Sequence, residues 1–271
     1  MTMMFEVEDL AYASPATVSR CGMVLLEPKQ LGHTPLIHSY CNDLEKYLPK
    51  VAEQIKTLML YIADTAIEFT NYFGKFPVPT DPNYLINSML NMFDCYVKEW
   101  KQEDVKIPKD AEEICMNAML FSVIWSIGAA LDENTRPKFD VMMQELLASE
   151  NVNEKYKLDL PNYEPKKINI KLGDYKSLFD LYFDKEKILW LNWLKTIPPY
   201  VVPKDVTYSQ LIVPTIDSIR MNMLLKVLVL NDKHPMICGP TGTGKSISIA
   251  NELKKNFDNQ DFSYLSLAFS A

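Results

Sequence analysis

The chain has 271 residues, enough for two domains with a sizeable core. Its hydrophobic share of 48% and charged share of 23% are those of an ordinary globular protein. A net charge of −7, with no block of basic residues against it, argues against general nucleic-acid binding.

In chain order, the alternation in "MMFEVEDL" predicts a strand at the N-terminus, and "GMVLLEP" (Gly22 to Pro28) predicts a second one stopped by Pro28. Between them, small polar residues and the Ser14-Pro15 break predict a loop leading into a helical turn. Two short strands make half a sheet, so the domain they belong to is expected to begin upstream of Met1. From Asp43 to Phe73 the pattern becomes helical: Leu44, Leu48, Val51, Ile55, Leu58 and Ile62 recur at three- and four-residue steps. Pro49 lies inside that pattern and predicts a break or kink.

Asn83 to Trp100 reads as another helix, and Asp110 with Glu113 has the spacing of a capping box ahead of a third. That third helix, Cys115 to Leu131, is apolar but carries an Asn and two Ser and is flanked by acids. It falls short of the roughly 20 apolar residues of a membrane span, so it is expected as a buried core helix and no membrane partner is inferred. Pro137 to Ser149 follows, with Pro137 suited to a first helical turn. These pieces add up to an all-helical unit from about residue 35 to 150.

Residues 151 to 205 are Pro-rich and enclose the aromatic cluster Tyr182, Phe183, Trp190 and Trp193. The acidic surroundings favour a packed hairpin over a platform for stacking bases or sugars. Pro214 then marks a break before a helix on Ile216, Ile219, Met223, Val227 and Leu228. "HPMIC" (His234 to Cys238) reads as a short buried strand, Ile249, Leu253 and Phe257 as a helix face, and Phe262 to Phe269 as a further strand.

Between that strand and helix stands "GPTGTGKS", residues Gly239, Pro240, Thr241, Gly242, Thr243, Gly244, Lys245 and Ser246, a full match to G-x-x-x-x-G-K-[ST]. The chemistry asks for these residue types. Glycines let the backbone wrap a phosphate closely and turn its N–H groups inward. The following helix aims its positive end at the same anion. Lys245 is expected to reach the β- and γ-phosphates and the Ser246 hydroxyl to hold Mg²⁺. Hydrolysis needs more: a carboxylate for the metal and a group to orient water. Asp217 and Asp232 are the nearby acids, and nothing in the sequence places either at a γ-phosphate.

Five cysteines (Cys21, Cys41, Cys95, Cys115, Cys238) contain no C-x-x-C pair, and His33, His38 and His234 lie outside zinc-site spacings, which suits a reduced compartment and no zinc. Arg20, in the small polar stretch Ala13 to Val24, has two readings. It is a surface or salt-bridge residue, or it is a finger offering its planar fork to phosphates of a neighbouring module.

Three stretches together carry a resemblance: "FEVEDLAYASPATVSRCGMVLLEP", "FSVIWSIGAALDENTRPKFD" and "LIVPTIDSIR" followed by "GPTGTGKS". In this order and spacing they resemble the dynein heavy chain over essentially the whole sequence, and "ASPATVSRCGM" is more similar to ciliary, axonemal heavy chains than to cytoplasmic ones. The resemblance implies a mixture of α/β and all-α structure, with partial AAA+ P-loop α/β cores at both ends of a helical small subdomain. It divides the chain into 1–28, the end of the large subdomain of the second AAA+ module; 29–150, its helical small subdomain; 151–208, a connecting segment; and 209–271, the start of the third module.

It further implies that Arg20 faces the nucleotide of the first module as a finger in trans. Gly239 to Ser246 would bind ATP or ADP with Mg²⁺ at a regulatory site, and Leu211, Ile212, Val213, Pro214 and Thr215 would pack against the adenine. The implied partners are the rest of the motor ring, microtubules through regions outside these residues, and dynein intermediate and light chains, in the axoneme of a cilium or flagellum. As an isolated chain it is expected neither to turn over ATP nor to walk. The alternatives on the residues alone are an independent P-loop kinase or NTPase with a helical N-terminal domain, and an adaptor with an inactive loop.

Overall fold

In a computed structural model, residues 4–24, 31–102, 105–160, 168, 170–173, 175–196, 200, 213–256, 263 and 265–269 are described. The chain forms two compact units, Met1–Gly32 and His33–Ala271.

The first unit holds one short helix, α1 (Pro15–Arg20). Ser14 caps it: its Oγ accepts from the Thr17 backbone N–H at 3.2 Å, satisfying one of the donors that every helix start leaves open. Pro15 occupies the first turn, where a missing N–H costs nothing. Residues 4–10 and 22–24 form no strand, contrary to the alternation, and 25–28 lie outside the described residues.

The second unit is built on helices α2 (Thr34–Glu45), α3 (Pro49–Phe73), α4 (Pro82–Val97), α5 (Ala111–Ser126), α6 (Arg136–Leu147) and the short α7 (Val152–Tyr156). Pro49 breaks the pattern, one of the two outcomes expected of it: α2 ends at Glu45, Pro49 opens α3 in its first turn, and the two helices pack as a pair. The Asp110–Glu113 capping box is absent as well. Asp110 sits at φ −92°, ψ 16°, outside the extended backbone a capping side chain needs, and makes no cap hydrogen bond.

The apolar run Cys115–Leu131 is the centre of this unit. Twelve of the sixteen α5 residues are buried; with the turn that follows, the helical run Ala111–Ala130 reaches 20 residues, longer than the sequence suggests and enough by length and composition for a membrane span, but most of it is enclosed by protein. Helix α4 lies along one side and α3 along another, and a hairpin covers a further face. That hairpin, β1 (Leu181–Asp184) and β2 (Leu189–Asn192), is antiparallel with Phe183 opposite Trp190. Phe183 and Trp193 are fully buried and Trp190 nearly so, which removes them as a stacking surface for a ligand.

The polar groups that the hairpin buries against α5 are matched. The Trp190 indole N–H donates to Asn117 Oδ1 at 2.5 Å, Asn117 Nδ2 to the Glu113 carbonyl at 2.7 Å, and the Trp193 indole N–H to the Phe179 carbonyl at 3.0 Å.

The remaining helices are α8 (Ile216–Leu230) and α9 (Lys245–Asn256), which pack on each other; α8 also rests on α4 and on the turn Trp193–Thr196. Ile219, Met223, Val227 and Leu228 lean on the core only partly, and Leu225 is the residue α8 buries. The sequence of α8 is apolar on nearly every side, so its spacing does not single out one face. His234–Cys238 and the described part of Phe262–Phe269 form no strand. A strand exists by pairing, and the described residues bring no neighbour to either segment.

Close packing around α5 has a tight point. A Cβ on Gly128 would lie 2.7 Å from Phe139 Cε1 and 2.9 Å from Phe179 Cζ. Gly128→Ala is therefore expected to destabilise the chain by about 1–3 kcal/mol. A urea titration should show a lower midpoint with an unchanged slope; an unchanged midpoint would mean that the rings move aside freely.

Candidate functional site

The site begins where α8 ends. Asp232 takes a left-handed backbone (φ 57°), and the N–H groups of Asn231, Asp232 and Lys233 bond back to the carbonyls of Leu228 and Val229. This turn delivers residues His234–Cys238 and then the glycine loop.

Within the loop, Gly242 (φ 81°) and Gly244 (φ 78°) occupy the backbone region closed to most L-residues, and neither has a neighbour where a Cβ would stand. The glycines are thus required by dihedral angle, leaving open space beside the loop. Lys245 opens α9 and folds its ammonium back over the loop. Its Nζ donates to the carbonyl of Gly239 at 2.8 Å, to the carbonyl of Pro240, and to Thr243 Oγ1 at 3.1 Å. Thr243 Oγ1 in turn donates to the Pro240 carbonyl at 3.0 Å. Ser246, the second residue of α9, is exposed.

This arrangement fits a polyphosphate. The carbonyls of Gly239 and Pro240 are drawn to the lysine. The first turn of a helix leaves its N–H groups without intrahelical partners, and a Lys ammonium and a Ser hydroxyl stand at the same end. The donor set is cationic and N–H-rich, as a phosphate site requires.

Other expected groups are placed elsewhere. Leu211 and Ile212 lie outside the described residues. Val213, Pro214 and Thr215 are exposed ahead of α8, and Thr215 has a different occupation. Its Oγ1 accepts from the Ser218 N–H at 3.2 Å while Ser218 Oγ accepts from the Thr215 N–H at 2.9 Å, a reciprocal cap on α8. Asp217 pairs with Arg220 at 3.3 Å and Asp232 with Lys98 at 2.5 Å, so both nearby acids are engaged away from the loop. Arg20 ends α1 exposed, with no ion pair among the described residues.

Other reactive groups do not extend the site. Burial pushes the thiols of Cys41 and Cys95 to about 11 and that of Cys115 to about 12, keeping them protonated and unreactive. Among the described residues no group of three or more His, Cys, Asp or Glu is arranged to hold a metal ion.

A feature invisible in the sequence ties the loop's entry to the helical unit. Asp94 on α4 accepts from Lys233 Nζ at 2.7 Å, Lys101 Nζ at 2.8 Å and the Tyr40 hydroxyl at 3.1 Å. Lys98 donates to the Asn231 carbonyl at 3.2 Å as well as to Asp232. Lys233 stands six positions before Gly239, so α4 grips the chain just ahead of the phosphate loop. Burial pushes the Asp94 carboxyl up, but hydrogen bonds from Lys101 and Lys233 outweigh it and hold the group below its ordinary value.

Comparison with known proteins places this geometry. Residues 55–195 match the family model "Dynein heavy chain AAA lid domain", and residues 200–271 match "P-loop containing dynein motor region". The chain is 32% identical to dynein axonemal heavy chain 1 of Mus musculus and 33% identical to that of Homo sapiens, over 100% of its own length and 6% of theirs. Dynein axonemal heavy chain 3 of Homo sapiens is 32% identical over 93% of the chain and 6% of the relative. The chain therefore spans about 6% of the length of the curated relatives it matches.

The Asp94 cluster makes a pH-dependent prediction. A carboxyl lowered on folding stabilises fully above its unfolded value near 3.9, and that contribution fades as pH falls through the folded value. Asp94→Asn should cost about 1–3 kcal/mol at pH 7. The gap from wild type in urea midpoint should narrow below about pH 4. A gap that stays constant from pH 7 to pH 3 would show that Asp94 does not carry the charge in this cluster.

Proposed function

The chain belongs to the dynein heavy chain family, and on that footing we propose that it is a segment of the ATP-driven microtubule motor ring of an axonemal dynein, active in the axoneme of a cilium or flagellum. The observation that carries this reading is the loop Gly239–Ser246, with its two left-handed glycines and a lysine lying over it at the head of α9. The independent kinase reading is set aside, because the helical region matches the lid domain of the same family.

In this reading the loop is the phosphate cradle of the third module, where ATP or ADP regulates the motor. The N–H groups at the start of α9 bind phosphate oxygens, and Lys245 exchanges its bonds to the Gly239 and Pro240 carbonyls for the β- and γ-phosphates. Its bonds are charge-assisted in both cases, and anionic oxygens in place of neutral carbonyls add attraction between opposite charges. Ser246 holds Mg²⁺, which neutralises the polyphosphate. Val213, Pro214 and Thr215, with Leu211 and Ile212, border the adenine. Thr215 contributes backbone and methyl surface there, since its hydroxyl caps α8.

Arg20 acts at a different nucleotide. Exposed at the end of α1 and free of any internal ion pair among the described residues, it is available as a finger to the ATP of the first module. The cradle and the finger thus serve two sites, and the helical unit between them in sequence is a rigid body that carries motion around the ring. The remaining partners are the other modules, microtubules through regions outside these residues, and intermediate and light chains.

With Asp217 and Asp232 engaged by Arg220 and Lys98, the isolated chain is expected to bind Mg-ATP without turning it over. Calorimetric titration checks this. Lys245→Ala should weaken Mg-ATP binding at least about tenfold with an unchanged thermal midpoint, since its bonds lie within an exposed loop. Equal affinity in the variant would sink the cradle assignment. For Arg20, substitution by Ala in the intact motor should lower ATPase turnover by about 10³-fold if it is a finger. Unchanged turnover would remove that role.

A further inference from the structure

The turn Asn231–Lys233 is held from outside more firmly than its own shape requires. Its three N–H groups already bond to the carbonyls of Leu228 and Val229, so the turn is closed by local backbone alone. Side chains from the end of α4 then take each of its residues in turn. Lys98 Nζ reaches the Asn231 carbonyl at 3.2 Å and the Asp232 carboxylate at 2.5 Å, and Asp94 accepts from Lys233 Nζ at 2.7 Å. Asp94 is itself fixed, by Lys101 at 2.8 Å and by the Tyr40 hydroxyl at 3.1 Å, with Lys101 lying 4.8 Å from the centre of the Tyr40 ring. These contacts do not make the turn; they decide where it sits against the lid.

The phosphate loop has no comparable anchor of its own. Lys245 and Thr243 spend their side-chain hydrogen bonds on Gly239, Pro240 and each other, all inside the loop. Its placement is set at its two ends, by α9 and by the six-residue lead from Lys233 to Gly239. A lead that is free to swing has to be ordered when a ligand binds, and that entropy is taken from the affinity.

We infer that Asp94, Lys98 and Lys233 are positioning residues of the nucleotide site, which hold the entry of the phosphate loop so that its affinity depends on side chains outside Gly239–Ser246. The inference rests on reading that loop as a phosphate cradle.

Charge alone argues for the opposite effect, which makes the inference testable. Removing a carboxylate from the neighbourhood of a polyphosphate relieves repulsion and should tighten binding slightly. Losing the anchor should weaken it. The test is a calorimetric titration of Mg-ADP into the 271-residue chain and its variants. Asp94→Asn and Asp232→Gly should each weaken binding at least about fivefold, a fold-change within what ordering one further residue costs. Asp94→Asn also loses stability, so Asp232→Gly decides alone if that variant fails to fold. The Asp232 side chain is 84% exposed and its backbone is left-handed (φ 57°), a conformation glycine adopts without strain.

Glu145→Gln separates positioning from a general loosening of the lid. Glu145 accepts from Lys155 at 2.7 Å and from the Tyr156 hydroxyl at 2.9 Å, a buried carboxylate cluster with no printed tie to the turn, so its loss should leave Mg-ADP affinity unchanged. Equal or tighter binding in Asp232→Gly, or weakening by Glu145→Gln as large as that by Asp232→Gly, would overturn the inference and leave the cradle standing. A wild-type chain that takes up no Mg-ADP would sink the cradle reading, and the inference with it.

Discussion

A helix that is apolar on every side has to be enclosed on every side, and α5 imposes that condition on the second unit. Two long helices, α3 and α4, cannot close a ring around it, and the hairpin β1–β2 completes the cover. The aromatic residues of the hairpin supply area at few rotatable bonds, which limits the entropy lost on ordering them. Their indole N–H groups then find Asn117 and the Phe179 carbonyl inside. Had the hairpin been absent, Asn117 would lie in an apolar surface with an unfilled acceptor, at a cost of about 1–3 kcal/mol. The buried polar residue and the aromatic strand are one device seen from two sides.

Because the lid is rigid for this reason, what it grips is fixed in turn. Asp94 sits on α4, whose inner side packs against α5, and it holds Lys233 where the chain turns toward the loop. Lys98 holds the preceding two residues by a carbonyl and a carboxylate. The loop itself is exposed and touches little, so its position depends on its ends. One end is this clamp and the other is α9, which packs on α8. A shift of the lid of an ångström would therefore be passed to the residues just before the phosphate cradle. The lysine–carboxylate geometry is discrete, either made or broken, unlike a deformable contact.

Much of this was legible in the sequence, and the exceptions share a cause. The phosphate loop is local: eight consecutive residues dictate its dihedral angles and its chemistry, and Gly242 and Gly244 do what their positions require. Helices α3 and α4 are legible from spacing, because each buries a stripe, and α5 from its unbroken apolar run; α8, apolar nearly all round, lacks the stripe signal, and Leu225 rather than the expected stripe is its buried residue. The described terminal segments alternate without forming strands, since alternation expresses a residue's preference while a strand needs a partner. The Thr215–Ser218 cap escaped notice because its third-position partner is Ser in place of the usual Glu or Gln. Asp94 and Lys233 are 139 residues apart, and no pattern of period 2 or 3.6 connects them.

The state of Lys245 joins these threads. A lysine ammonium either finds acceptors or remains fully solvated. Here it takes the carbonyls of its own loop, which keeps the loop folded in the phosphate-binding shape. The glycine dihedrals and the lysine contacts are in place within the loop, so a ligand bound there would spend little on ordering the backbone. The energetic consequence falls on the surroundings instead. A nucleotide that favours one position of the cradle shifts the lid by no more than its difference in affinity between the two positions.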